Sequence, residues 1–235
     1  MQRIDFVTLF PEMVFGVLGH SIMKRAEAAG HVAFGTSDPR DFTTDKHRTV
    51  DDSPFGGGPG MLMKAEPVAQ AIEALGQADA IVFTDPTGSL FTQSDAATLS
   101  RLAHVVFVCG HYEGIDDRVR ERLATHTFSI GDYVLTNGEL PALIMADAVV
   151  RLIPGVLGKE ESLRIDSHAD GLLSAPQYTR PEEWRGIPVP AVLLGGNHKE
   201  IERWKRRQAL LLTRSNRPDL FARAAITDAD LKSLE

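Results

Sequence analysis

Two runs in the first half of the chain are apolar at all but one end residue: Ala80–Thr84 (AIVFT) and His104–Cys109 (HVVFVC). A strand with one wet face alternates apolar and polar residues, so an unbroken apolar run marks a strand covered on both faces. Helices on either side of a parallel sheet supply that cover. The surrounding segments agree. Arg3–Leu9 (RIDFVTL) and His31–Thr36 predict strands, and Thr125–Ile130 predicts another. Met13–Leu18, Ala65–Leu75, Thr92–Leu102, Ile115–Leu123 and Glu139–Leu152 predict helices, the third capped by Thr92 or Ser94. The expectation is an α/β domain over residues 1–158 with a parallel sheet.

That pattern then breaks. Gly158–Asp170 (GKEESLRIDSHAD) is polar and without apolar periodicity, so residues 159–170 read as a flexible linker. Pro176, Pro181, Pro188 and Pro190 punctuate the next stretch. Asn197–Thr213 is helical, with Ile201, Trp204, Gln208 and Leu211 or Leu212 at helical spacing, which reads Trp204 as core. Thr227–Leu234 predicts a last short helix capped by Thr227, with Asp230 three residues on. Residues 171–235 are expected to form a small helical unit.

Composition excludes several classes. Cys109 is the single cysteine of 235 residues, so neither an intrachain disulfide nor a four-cysteine zinc site can form. That suits a reducing cytosol. The acidic N-terminal stretch MQRIDFVTLFPEM is not a secretory signal, and no segment has the roughly 20 apolar residues of a membrane span. A soluble, cytoplasmic protein is expected. The net charge of −7 is uneven: Asn197–Arg217 carries seven Lys or Arg against Glu200 and Glu202. A basic stripe on an acidic chain can bind nucleic acid, because the local field matters. For a lone charge run, a solvated helix face is the better reading.

Four glycine-bearing loops are candidates for chemistry: Phe55–Met61 (FGGGPGM), Asp85–Ser89 (DPTGS), Gly110–Gly114 (GHYEG) and Ile130–Pro141 (IGDYVLTNGELP). The last three follow strands, where open α/β sheets hold ligands. Known signatures do not fit. The glycine run lacks the Gly-Lys-Ser/Thr of a phosphate loop, and Met61 stands where a dinucleotide fingerprint needs its third glycine. His111-Tyr112-Glu113 has no accompanying P-C-x-x-C, which removes a zinc deaminase. What remains is a site of backbone groups with few charged side chains. It suits a flat, neutral adenine better than a polyphosphate.

The segments FPEM (10–13), DPRDF (38–42), DKHRTVDD (45–52), GGGPGML (56–62), CGHYEGID (109–116), SIGDYVLTNGELPA (129–142), RLIPGVLG (151–158), QYTRP (177–181) and GNHKEIERW (196–204) together resemble one family. It is the bacterial tRNA (guanine-N1)-methyltransferase family that modifies guanine 37, within the SPOUT methyltransferase superfamily. The resemblance spans nearly the whole chain.

It implies a trefoil-knotted α/β domain, a linker and a C-terminal helical tRNA-binding domain. It implies a homodimer with the active site at the subunit interface. S-adenosyl-L-methionine is the implied cofactor. Its implied contacts are Pro86, Gly110, Glu113, Gly114, Ile130, Gly131, Asp132, Tyr133, Val134, Leu135, Gly138 and Pro141. Methyl transfer to N1 of guanine needs the N1 proton removed, and charge then develops towards O6. The family pattern puts the base at Asp166 and the stabilising arginine at Arg151. Read alone, Asp166 is a solvated carboxylate and Arg151 a helix C-terminal cation. Asp51 with Gly56, Gly57 and Gly58 is implied to line the guanine pocket, though Asp51–Asp52 alone reads as a turn or cap. The basic stripe, with Lys199, Arg203, Arg206 and Arg207, becomes a phosphate-contacting surface. A magnesium requirement is associated with the family; nothing here has metal-ligand spacing, so no ligand is assigned.

The chain departs from the family pattern at four positions. Ser174 replaces a usual carboxylate, His168 a Phe, Phe55 a Tyr and Asn137 a Gly. The first two bear on how the linker is ordered.

Overall fold

The structure, a computed structural model, describes residues 1–158 and 166–234. These fall into two compact units, Met1–Gly158 and Lys159–Glu235.

The first unit is built on five parallel strands. They are β1 (Gln2–Val7), β2 (Val32–Ser37), β5 (Ala80–Leu90), β6 (His104–Cys109) and β7 (His126–Ser129), in the order β2-β1-β6-β5-β7. Every residue of β6 is buried, as its unbroken apolar run requires. Register places Phe6 beside Phe107 and Val82 on its other side, and the two phenylalanine rings stack with centroids 5.6 Å apart. Alternation along the strands feeds two cores. Ile4, Phe6, Val105 and Phe107 face one layer, with α1 (Pro11–Leu18), α2 (Ser21–Ala28), α4 (Gln93–Leu99) and α6 (Glu139–Val150). Val7, Val106 and Val108 face the other, with α3 (Ala65–Glu73) and α5 (Asp117–Leu123). Between β2 and α3, Asp51–Asp52 (β3) pairs antiparallel with Leu62–Met63 (β4).

Capping fixes several helix starts. Thr92 and Asp95 form a reciprocal capping box on α4, and Asp116 caps α5. Two features differ from the sequence expectation. Helix α2 lies in a stretch for which no element was expected. Strand β5 runs on to Leu90, whereas Asp85–Ser89 reads as a plain loop. The reason is a bulge: β5 pairs with β7 through Thr84, then resumes at Ser89, with Thr84 and Ser89 both opposite Phe128. Asp85 closes the bulge by accepting bonds from the Thr87 backbone N–H and hydroxyl, at 2.8 and 2.7 Å.

The second unit contains α7 (Ala191–Leu194), α8 (His198–Asn216), α9 (Pro218–Phe221) and α10 (Asp228–Leu234). It is not wholly helical: Glu183–Trp184 (β8) and Ile187–Pro188 (β9) form a small hairpin. Arg185 and Gly186 both have positive φ, 53° and 80°, as a two-residue hairpin turn needs. Asn197 caps α8, and Thr227 with Asp230 caps α10 as their spacing predicts. Among the described residues, no helix is long and apolar enough to cross a membrane.

Candidate functional site

A cavity of about 350 Å³ opens at the carboxyl ends of β5, β6 and β7. Three loops wall it. Pro86 comes from the β5 bulge, and Gly110, Glu113 and Gly114 from the loop after β6. Ile130, Tyr133, Val134, Leu135 and Gly138 come from the loop after β7, and Pro141 from the start of α6. Gly131 and Asp132, proposed from the sequence with the rest, are not part of the lining. Gly131 shapes the loop instead. Its N–H donates to Ser129 Oγ and its carbonyl accepts from the Tyr133 N–H at 2.9 Å. Its φ is 151°, and a Cβ there would fall 2.6 Å from the Tyr133 ring.

Gly138 joins the loops. Its N–H donates to the Gly110 carbonyl at 2.8 Å. A Cβ on it would fall 2.6 Å from the Gly110 nitrogen and 2.8 Å from Cys109 Cα, so only glycine fits. The Thr84 hydroxyl is within 3.3 Å of both the Val108 and Gly138 carbonyls. Thr84, which lines the cavity, gave no signal in the sequence beyond ending an apolar run. Loop 54–61 reaches the same rim. The Glu113 N–H donates to the Met61 carbonyl at 2.9 Å, and a Cβ at Gly60 would fall 2.8 Å from Glu113 Cδ. Asp51 sits in β3, while Gly56, Gly57 and Gly58 all have positive φ and open space around them. Phe55 beside them is fully exposed.

The floor holds unsatisfied polar atoms. Among the described residues His111 Nδ1, Asn137 Oδ1 and Glu139 Oε2 are buried without a hydrogen-bond partner. His111 and Asn137 line the cavity. Such atoms are costly to leave unpaired and mark where a ligand or water belongs. Glu139 is fully buried, and its other oxygen accepts from the Thr8 hydroxyl at 2.6 Å. Cys109 lies in the same interior. Burial, and then the Glu139 charge, push its thiol well above the usual value. A thiol so suppressed packs as a small apolar side chain rather than acting as a nucleophile. Glycine backbone and apolar side chains make up much of the lining, beside the charged side chains of Asp85, Glu113, Asp117 and Arg120. It fits the adenosine and methionine parts of S-adenosylmethionine and has no cluster of cations for a polyphosphate.

The other candidates lie elsewhere. Arg151 caps the C-terminus of α6, its N–H bonded to the Asp147 carbonyl at 3.2 Å. Asp166 belongs to the second unit, where its carbonyl accepts from the Ala169 N–H. The linker expected over 159–170 is in part outside the described residues, 159–165. Its remainder is hydrogen-bonded. Ser167 and Ser174 hydroxyls meet at 2.9 Å, the Ser174 N–H donates to Ser167 Oγ, and the His168 N–H donates to the Leu172 carbonyl. Ser174 thus pins Ser167, the residue next to Asp166.

On α8, Lys199 and Arg203 are exposed. Arg206 and Arg207 are occupied within the unit. Arg206 bonds Asp230 and Asp170, and Arg207 Nε donates to the Ser233 carbonyl at 2.6 Å. Among the described residues no group of three His, Cys, Asp or Glu converges as a metal site.

Comparison with known proteins identifies the family. Residues 2–223 match the family described as tRNA (Guanine-1)-methyltransferase TrmD. A "tRNA (guanine-N(1)-)-methyltransferase" of Staphylococcus carnosus is 53% identical over 236 residues, covering 100% of this chain and 96% of that protein. Proteins of the same name from Staphylococcus aureus strain Newman and Staphylococcus epidermidis are 52% and 51% identical over the same coverage. A full-length match at this identity leaves one assignment: the chain belongs to the tRNA (guanine-N1)-methyltransferase family.

Proposed function

We propose that this protein transfers a methyl group from S-adenosylmethionine to N1 of guanine 37 in tRNA. The observation that carries the reading is the convergence of three strand-end loops on one glycine-lined cavity, closed by the Gly138–Gly110 contact. When bound, S-adenosylmethionine supplies an electrophilic methyl group. Gly110, Gly114 and Gly138 allow its close approach, Ile130 and Leu135 cover the adenine, and His111 and Asn137 offer polar atoms. In this reading the first unit carries the family's trefoil knot, with the 130–138 loop lying against the ends of β5 and β6.

Asp166 would accept the guanine N1 proton as the bond from N1 to the methyl carbon forms and the methyl–sulfur bond breaks, leaving S-adenosylhomocysteine. Arg151 donates hydrogen bonds to O6, where negative charge develops. The two belong to different units of the chain, and the reading makes the active site from two copies in a homodimer. Exposed apolar side chains support a second copy: Leu140 and Ile144 stand out from α6, a helix with seven of its twelve residues buried. Asp51 and the Gly56–Gly58 loop contribute to the guanine pocket. Lys199 and Arg203 meet phosphates, while Arg206 and Arg207 chiefly hold the second unit together. Magnesium enters without an assigned ligand set. The setting is the cytoplasm, where tRNA is processed.

The test is transfer of labelled methyl to an unmodified tRNA transcript with guanine at positions 36 and 37, beside one with position 37 changed. Label on the first alone, mapped to N1, is the expected result. Equal label on both moves the target elsewhere.

A further inference from the structure

The sequence reads Trp204 as core, yet Trp204 lines a second cavity of about 420 Å³, wholly within the second unit. One wall is the segment from Asp166 to Tyr178, the other is α8, and Leu193 lies between. We propose that this cavity binds an unstacked nucleobase of the RNA substrate, with the Trp204 and Tyr178 rings as its stacking surfaces. The proposal rests on the tRNA-modifying function inferred above and adds a subsite to it.

Four observations carry it. First, the two rings have centroids 6.3 Å apart and planes at 56°, which is not the parallel stack that would cover both faces. Tyr178 is 48% exposed, so its ring presents apolar surface to solvent within the cavity mouth. Second, the walls are held. The Leu173 N–H donates to the Thr213 hydroxyl at 2.9 Å and Ser174 is tied to Ser167, while Pro176 stiffens the segment between. A prearranged aromatic wall lowers the entropy cost of capturing a base. Third, the rim carries both charges. Lys205, whose exposed ammonium pairs with Glu202 at 3.1 Å, can exchange that partner for the phosphate next to a captured base. Glu202, released from Lys205 by that exchange, is an acceptor for amino and imino hydrogens on a base edge. Fourth, the volume falls in the range of about 300–1,000 Å³ typical of small-ligand sites. Aromatic walls with mixed charge at the rim favour a nucleobase over an aliphatic ligand, because every base has a π-face to stack.

Trp184 and Trp204 are the only tryptophans. Full-length Trp184→Phe protein therefore reports on Trp204 alone. It would be titrated with unmodified tRNA transcript, following emission and quenching by acrylamide. The proposal expects the emission to be quenched on saturation and the ring to become protected from acrylamide. It also expects Trp204→Leu and Tyr178→Leu each to raise the KM for tRNA about tenfold, with the KM for S-adenosylmethionine unchanged and Trp204→Phe recovering most of the loss. Circular dichroism and thermal unfolding identify any variant that fails to fold, and Tyr178, being half exposed, supplies the second variant. Unchanged Trp204 emission at saturating tRNA, with wild-type methyl transfer intact, overturns the subsite and leaves the methyltransferase reading standing. No methyl transfer by the wild type would instead remove that reading.

Discussion

Arg206 spans the carboxylate of Asp230 with two hydrogen bonds, Nε to Oδ1 at 2.9 Å and Nη2 to Oδ2 at 3.0 Å. Its Nη1 also donates to Asp170 at 2.9 Å. One guanidinium thus fastens α10 and the 166–170 loop to α8. The hydrogen bonds from Arg206, helped by the Thr227 N–H and hydroxyl, hold the Asp230 carboxyl well below the usual carboxylate range.

That depression sets an acid limit. A carboxylate whose folded pKa is lowered stabilises the fold fully above its unfolded value and loses that contribution as pH falls towards the folded one. Tryptophan emission reports on the second unit alone, since Trp184 and Trp204 both lie there. Urea unfolding followed this way should give constant stability between pH 7 and about pH 4.5, then a fall at lower pH. Asp230→Asn should be less stable at pH 7 by about 1 kcal/mol, a value discounted for the partial exposure of Arg206. Its acid slope should be shallower, and an identical slope would remove Asp230 as a contributor.

Gly138→Ala places a Cβ against Gly110 and Cys109 in a position where backbone, not a flexible side chain, must give way. S-adenosylmethionine affinity, measured by calorimetry, should fall at least tenfold. Gly58→Ala tests a different cost: its surroundings are open and only its φ of 125° is strained. It should leave cofactor affinity within about twofold.

Asp166→Ala should cut single-turnover methyl transfer by about 10²–10⁴ if Asp166 is the general base. Cofactor affinity should stay within about twofold, because Asp166 belongs to the second unit and the cavity to the first. Unchanged turnover would exclude it as the base.

Lys199 and Arg203 are two of the exposed cations of α8, and with Lys205, Arg206 and Arg207 engaged within the unit they are the better choices for testing phosphate contact. Replacing both with Ala should lower the slope of log affinity against log salt by about 1.5 to 2. Arg207→Ala should act mainly on stability, through loss of its bond to the Ser233 carbonyl. A salt slope that does not move would make the stripe a solvated face.

Cys109 should resist thiol reagents in the folded protein. Its thiol is buried and its ionisation suppressed by burial and by Glu139. Labelling at pH 8 should follow global unfolding rather than thiol concentration. Fast labelling of native protein would show that the interior opens locally.

The unbroken apolar run His104–Cys109 determined a strand buried on both faces, and β6 is the centre of the sheet. Thr92 with Asp95, and Thr227 with Asp230, determined helix starts, because a cap needs only neighbours three residues apart. The same locality explains what the sequence missed. Helix α2 has no side-chain cap to announce it. The β5 bulge depends on where Phe128 of β7 lies, some forty residues later. The family resemblance pointed to the cavity residues, but it could not separate Gly138, which seals the loops, from Gly131, which shapes one of them. Nor could it show that Arg206 already has partners, or that Trp204 borders a cavity. Those properties arise between residues distant along the chain: Thr84 with Gly138, Thr8 with Glu139, Arg206 with Asp230. Periodicity and capping are short-range and can be read from the chain, whereas the contacts that make a site exist only once the strands have taken their order.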